Sequence, residues 1–307
     1  KTKNQMQNNN QIQDQSGNSY NHLLSGVETE RLLKLEAKAI KFIHTIRNAT
    51  EDDLFAGNSG GKDSAVIDFL LQKSGINYKS YHTNTTLDPP GTIPHIKKYY
   101  PHTEILKPNE TFYQLIRRKG LPTRLNRYCC EHLKEYGSIA KMVFEGVRSA
   151  ESRNRQGRDY IQCDSRKWQK GAQHIYIIYD WTDVDVWNYI KLRNIVLAPH
   201  YELAKAVGLT RLGCVGCPLV KPKTRKKEFI LYPKILQNIK KAIEQGMKEN
   251  PQWKLSVATK GNAELAIQWW LSKKTMNEFF KEQVLTGSKK DGWVSEPKII
   301  TQTNLKL

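Results

Sequence analysis

The sequence predicts an α/β protein: a parallel twisted sheet with helices on both faces, followed by a helical C-terminal appendage. Three observations carry that prediction. Short β-rich runs alternate with helical repeats between residues 28 and 192. A Gly-rich turn, Ser59-Gly60-Gly61-Lys62-Asp63-Ser64, joins the first apolar run to the next helical repeat. Beyond Pro218 the β-rich runs stop, and Lys-rich helical patterns continue to about Glu282.

The elements follow in order. Residues 1–20 are rich in Asn and Gln with few apolar residues, which predicts a disordered tail. From Glu28 to Arg47, Leu32, Leu35, Ala39, Phe42 and Ile46 recur at three- and four-residue steps, the mark of an amphipathic helix. Leu54 to Gly57 reads as the first strand, and Ala65 to Leu71 has helical spacing. Tyr78–Thr83 reads as a strand, Pro94–Tyr100 as a helix, Glu104–Leu106 as a strand and Phe112–Lys119 as a helix. Met142–Phe144 and Ile175–Ile178 are β-rich runs. Asp183–Leu192 is a helix with Thr182 or Asp183 as its cap. The domain reading is a tail (1–20), a nucleotide-binding α/β domain (21–220) and a basic helical region (221–307).

The chain has 307 residues, enough to bury a full core. Hydrophobic residues make up 38% and mean hydropathy is −0.64, which predicts a soluble protein. No apolar run approaches the about 20 residues a membrane span needs, and no signal-peptide core follows the first residues. No membrane association and a cytoplasmic location are therefore expected. Lys and Arg number 49 against 30 Asp and Glu, a net charge of +19. Such an excess points to a polyanionic partner bound through phosphate contacts, whereas a small nucleotide would not require it. Charge alone does not separate DNA from RNA. Residues 221–241 concentrate eight of these cations (Lys221, Lys223, Arg225, Lys226, Lys227, Lys234, Lys240, Lys241) against one acid, Glu228.

A strand, a Gly-rich turn and a helix start, in that order, build an anion site. The glycines let backbone N–H groups face a phosphate, and the first helical N–H groups point the same way. Lys62 adds a mobile charge, and Ser59 and Ser64 add hydroxyls. The spacing is not that of a Walker A loop. Ligands of parallel sheets lie at the carboxyl ends of strands, where residues 58–64 fall.

Five cysteines are present: Cys129, Cys130, Cys163, Cys214 and Cys217. An odd count without a leader argues against a disulfide framework. Cys129-Cys130 and Cys214-Val215-Gly216-Cys217 together offer four thiolates, as a [4Fe–4S] cluster or a structural zinc requires. An adjacent pair is awkward for one tetrahedral zinc but can reach two irons of a cube. Cys163 has no obvious partner.

The Ser59–Ser64 loop resembles the pyrophosphate (PP) loop of the adenine nucleotide alpha hydrolase superfamily, which implies an adenine nucleotide and chemistry at its alpha phosphate. The cysteine pattern is similar to that of the iron–sulfur members of the phosphoadenosine phosphosulfate (PAPS) reductase family. Other stretches match that family in order: Thr85-Thr86-Leu87-Asp88-Pro89-Pro90-Gly91-Thr92, Gly146-Val147-Arg148-Ser149-Ala150-Glu151-Ser152-Arg153, and Asp180–Ile190 with its two tryptophans. Reductases of the family carry a catalytic cysteine in a C-terminal tail, and here no cysteine follows Cys217. With the charge, that departure makes the chain resemble the family's nucleic-acid branch, nearest the ATP pyrophosphatases of DNA phosphorothioation (the DndC type). The resemblance implies ATP and Mg²⁺ at Ser59, Gly60, Gly61, Lys62, Asp63 and Ser64. It implies Arg148 and Arg153 as a phosphate clamp oriented by Glu151, and a [4Fe–4S] cluster on Cys129, Cys130, Cys214 and Cys217. Lys62, Asp63, Arg148 and Arg153 are the expected catalytic residues. The expected partners are a nucleic acid (DNA rather than RNA), a sulfur donor such as a cysteine desulfurase, and a protein complex. The expected activity is ATP-dependent activation of a nucleic acid for sulfur insertion. The alternatives are an assimilatory adenylyl-sulfate or PAPS reductase using an external thiol, and a nucleotide-binding subunit of a sulfur-transfer complex.

Overall fold

A computed structural model of the chain describes residues 12–13, 19–20, 24–134, 141–164, 171–209 and 213–285. Most of the Asn/Gln-rich tail lies outside these residues. Within it, β1 (Ile12–Gln13) and β2 (Ser19–Tyr20) pair antiparallel.

Helix α1 (Gly26–Asn48) starts at Ser25, whose hydroxyl accepts from Glu28 N–H while Glu28 reaches back to the Ser25 N–H, a reciprocal capping box. Strand β3 (Leu54–Gly57) leads through the Gly-rich turn into α2 (Lys62–Ser74). Then come β4 (Lys79–Thr83), α3 (Thr92–Tyr99), β5 (Thr103–Leu106) and α4 (Phe112–Lys119). Strands β6 (Met142–Phe144), β7 (Ile161–Cys163) and β8 (Gln173–Ile175) precede α5 (Asp183–Leu192), which Thr182 caps as expected. The helices α6 (His200–Ala206), α7 (Pro222–Leu231), α8 (Pro233–Glu249), α9 (Lys254–Thr259), α10 (Ala263–Trp270) and α11 (Met276–Leu285) follow.

Six strands form one sheet in the order β5-β4-β3-β6-β8-β7. β3 runs parallel to β4 and β6, and β6 parallel to β8; β7 is antiparallel to its neighbour β8. The predicted α/β class with a mostly parallel sheet is therefore what the chain adopts. Two expectations differ in detail. The run Ile175–Ile178 is not a strand beyond Ile175, because the chain turns, with Tyr179 N–H donating to Tyr176 C=O and Trp181 N–H to Ile178 C=O. Ile177 and Ile178 satisfy their apolar character by burial alone. Strand β7 carries no sequence signal, because a three-residue run, Ile161-Gln162-Cys163, is too short to establish a period.

The chain divides into two compact units. The first comprises residues 1–82, 93–105 and 137–199. Its core joins Leu54 and Ala56 of β3 to Leu32, Ala39 and Ile43 of α1, Val66, Ile67 and Leu70 of α2, and Val186, Tyr189 and Ile190 of α5. The second unit comprises residues 83–92, 106–136 and 200–307. The C-terminal helices are thus not a separate body: Ile239, Ile243 and Met247 of α8 share a core with Phe112, Leu115 and Ile116 of α4. Helix α4 has a strongly one-sided apolar face, and α8 covers it.

Candidate active site

In the first unit the Gly-rich loop is closed by its own side chains. The Asn58 carboxamide oxygen accepts from Gly60 N–H at 2.9 Å. The buried Ser64 hydroxyl donates to Gly61 C=O at 2.9 Å and lies 3.2 Å from the exposed Ser59 hydroxyl. Gly61 is the N-cap of α2 and offers no side chain to its first turn. The amino end of α2 therefore has no side-chain cap, and its first N–H groups and positive dipole end could receive an anion.

The loop's charged residues join two side chains from distant sequence. Lys62 Nζ lies 3.0 Å from Asp63 Oδ2 and 3.0 Å from Asp183 Oδ1. The Arg148 side chain, 2% exposed, donates from Nε to Asp63 Oδ1 at 2.7 Å and from Nη2 to Asp183 Oδ1 at 2.8 Å. Its Nη1 donates to Trp181 C=O at 3.3 Å. Two cations and two carboxylates thus form a neutral quartet at the start of α2. Burial works to raise the Asp183 pKa, but Lys62 and Arg148 outweigh it, and the carboxyl sits below its usual range. Asp63 and Asp183 remain partly exposed. They orient Lys62 and Arg148 and are the carboxylates at hand for a divalent cation such as Mg²⁺.

Gly146 makes this reach possible. A Cβ there would stand 2.8 Å from Asp63 Cβ and 3.3 Å from the Asp63 carbonyl carbon. The strand end that carries Arg148 can lie against α2 only without a side chain at that position.

Sequence reasoning names Lys62, Asp63 and Arg148, and the structure brings them together. It does not single out Asp183, although that residue directly follows the legible Thr182 cap. Arg153 is exposed, on a short 3₁₀ turn of residues 153–155. Glu151 accepts from the Arg148 backbone N–H at 3.3 Å and pairs with Arg155. The i,i+4 spacing of Glu151 and Arg155 is the sequence signal for that pair.

The second unit holds all four paired cysteines; Cys163 is exposed on β7, in the first. Cys130 opens a single π turn, Cys130–Lys134. Cys217 N–H donates to Cys214 C=O at 3.2 Å, closing the C-x-x-C turn, and Val215 N–H donates to Leu87 C=O at 2.8 Å. No cysteine is in a disulfide. The Cys129 thiol is pushed up by its hydrogen bond to Cys130, then by burial, then by Cys217 and Cys214. Burial pushes Cys214 up to about 12, with Lys134 acting against it, and also raises Cys217. Four half-buried thiols that sense one another are a soft donor set suited to iron–sulfur or zinc. A bound cation would reverse these shifts. Among the described residues, no group of three or more His, Cys, Asp or Glu side chains is already gathered closely enough to hold a metal ion. The fit lies in donor chemistry and mutual electrostatics rather than in a preformed coordination shell.

Helix α7 closes over the C-x-x-C turn. Glu228 Oε2, fully buried, accepts from Gly216 N–H at 2.8 Å. Gly216 has φ +78°, and a Cβ there would lie 2.4 Å from the Phe229 ring. Arg225, one of the eight cations of 221–241, is 4% exposed. Its burial sets it apart from the other cations of that segment; Lys221, Lys223, Lys226, Lys234 and Lys241 are not buried.

Residues 53–220, more than half of the chain, match the phosphoadenosine phosphosulfate reductase domain, and the chain belongs to that family. An uncharacterized protein of Methanocaldococcus jannaschii is 30% identical over 219 residues, covering 67% of this chain and 52% of that protein. The chain spans about half the length of such archaeal relatives. An adenosine 5′-phosphosulfate reductase of Neisseria meningitidis is 25% identical over 209 residues, 63% of this chain and 82% of the reductase. Among solved structures, the U34-tRNA thiolase NcsA of Methanococcus maripaludis with its [4Fe–4S] cluster is similar at a TM-score of 0.43 and 13% identity, covering 78% of this chain and 83% of that one. No helix among the described residues is long and apolar enough to cross a membrane.

Proposed function

We propose that this protein is a PP-loop ATP pyrophosphatase that activates a nucleic acid for sulfur insertion. The observation that carries the reading is the quartet of Lys62, Asp63, Arg148 and Asp183 at the uncapped start of α2. ATP would place its beta and gamma phosphates on Ser59–Ser64. Asp63 and Asp183 would hold Mg²⁺, which would supply positive charge to the phosphates, and Lys62 and Arg148 would add theirs from the positions those carboxylates fix. A substrate oxygen then attacks the alpha phosphorus, the bond to the bridging oxygen breaks, and pyrophosphate leaves. The acceptor is left adenylylated, and a sulfur nucleophile from a partner such as a cysteine desulfurase displaces AMP. Negative charge grows on the departing oxygens, so catalysis rests on fixed cations and positioning. The exposed lysines of 221–241 and the +19 charge support a nucleic-acid acceptor, in the manner of the DNA phosphorothioation enzymes that the sequence resembles.

Cys129, Cys130, Cys214 and Cys217 would hold a [4Fe–4S] cluster, which when bound supplies either a structural tie between the two cysteine segments or an electron or sulfur relay.

A second reading, reduction of an adenylyl sulfate with an external thiol, is favoured by the likeness to the Neisseria reductase. Product analysis separates the two. The protein is incubated with Mg²⁺-ATP and nucleic acid, and separately with adenylyl sulfate and a thiol reductant. Pyrophosphate from the first mixture supports the proposal. Sulfite from the second without pyrophosphate from the first would replace it with the reductase.

A further inference from the structure

Arg225 is out of place for a solvated basic helix. Its guanidinium donates from Nη2 to Trp270 C=O and lies 4.8 Å from the Trp270 ring centroid. Nε and Nη1 are buried with no hydrogen-bond partner. A buried guanidinium with two N–H groups unanswered is costly and calls for a compensating partner. Glu228 is one helical turn away, but it spends Oε2 on Gly216 N–H and forms no ion pair with Arg225. The helix face carrying Arg225, Glu228 and Phe229 is the one packed on the Cys214–Cys217 turn. Cys217 and Glu228 act on Arg225 electrostatically. Burial draws its pKa down to about 10, so it remains a cation at neutral pH.

We propose that Arg225 is a positioning residue for the four-cysteine centre, supplying a fixed positive charge beside the C-x-x-C turn and two unpartnered N–H groups for the sulfur ligands once a metal gathers them. The inference rests on the reading that Cys129, Cys130, Cys214 and Cys217 hold a metal. Four thiolates around a divalent cation carry a net double negative charge, and a desolvated guanidinium is suited to offset it. Trp270 holds the guanidinium plane so that Nε and Nη1 stay free. Neither the family match nor the spacing of the cysteines points to this residue.

The test uses the full chain and Co²⁺ alone as probe, followed by its sulfur-to-metal charge-transfer band. Arg225→Met should bind Co²⁺ about 10- to 100-fold more weakly than wild type, and Arg225→Lys should recover part of that loss. In anaerobically reconstituted protein, Arg225→Met should also shift the centre's reduction potential to a more negative value. A folded Arg225→Met protein with wild-type Co²⁺ affinity and potential would overturn the proposal and leave Arg225 as a packing residue for α10. Failure of the wild type to bind either Co²⁺ or iron would overturn the cysteine centre itself, a distinct result. If the variants do not fold, the Arg225 Nε–H resonance of the native protein is followed as Zn²⁺ is added. A shift on saturation supports the proposal, and an unmoved resonance counts against it.

Discussion

At the scale of single residues, charge is neutralised in place. Glu36 on α1 is 6% exposed and binds Lys73 at 2.5 Å, Arg193 at 2.6 Å and the Tyr189 hydroxyl at 2.5 Å. Burial alone would raise its pKa, but the three partners outweigh that and hold it below the usual 4.5. A carboxyl with a depressed folded-state pKa stabilises the protein above its unfolded value, and that contribution disappears as pH falls through the folded value. Glu36→Gln should therefore cost about 3 kcal/mol at neutral pH, since it strands Lys73 and Arg193. The gap from wild type should be smaller at acidic pH, below the depressed folded-state value, than at neutral pH. Urea unfolding at the two pH values checks this, and an equal gap at both would contradict it. In the Lys62–Asp63–Arg148–Asp183 quartet charge is likewise neutralised in place, but there the carboxylates keep one side open, which a structural ion pair does not need.

At the scale of elements, the site depends on how closely one strand end approaches one helix. Gly146→Ala places a methyl 2.8 Å from Asp63 Cβ, with backbone immediately beyond. The start of α2 must then shift. Overpacking of this kind costs about 1–3 kcal/mol, and displacement of a reacting group by about 1 Å lowers rate roughly a hundredfold. Pyrophosphate release should fall far more than the melting temperature; unchanged turnover would mean that the contact between this strand end and α2 does not set the geometry. This contact shows where the sequence stops being legible. Strand β3, the loop and α2 can be read because periodicity and glycine are local signals. So can α4 and α5, whose capping residues directly precede their apolar repeats. That Arg148 meets Asp63, or that Asp183 completes the quartet, depends on pairings across the sheet order β5-β4-β3-β6-β8-β7, which no local pattern encodes. Arg225 escapes sequence reading for a related reason. A run of lysines makes its neighbour look solvated, and only the packing of α7 on the C-x-x-C turn shows otherwise.

At the scale of the whole molecule, the excess of 49 basic over 30 acidic residues outlasts these local pairings. Lys221, Lys223 and Lys226 lie on or beside α7, clear of the buried Arg225 and Glu228. Replacing the three by Ser should weaken duplex binding for all sequences alike. It should also flatten the salt dependence by about 0.9 in log–log slope for each phosphate that the variant leaves unneutralised. ATP turnover without nucleic acid should be unaffected. Salt-independent binding, or none at moderate salt, would detach the charge from the function. The central claim is that the loop of residues 59–64 works on a nucleotide through its lysine, and Lys62→Ala tests it most directly. The measurement is pyrophosphate released from Mg²⁺-ATP by the wild type and by a variant shown by circular dichroism to be folded. The loop keeps its N–H groups but is deprived of a charge-assisted interaction worth about 2–4 kcal/mol, so release should drop by about a hundredfold or more. Equal release by the two proteins would contradict the account.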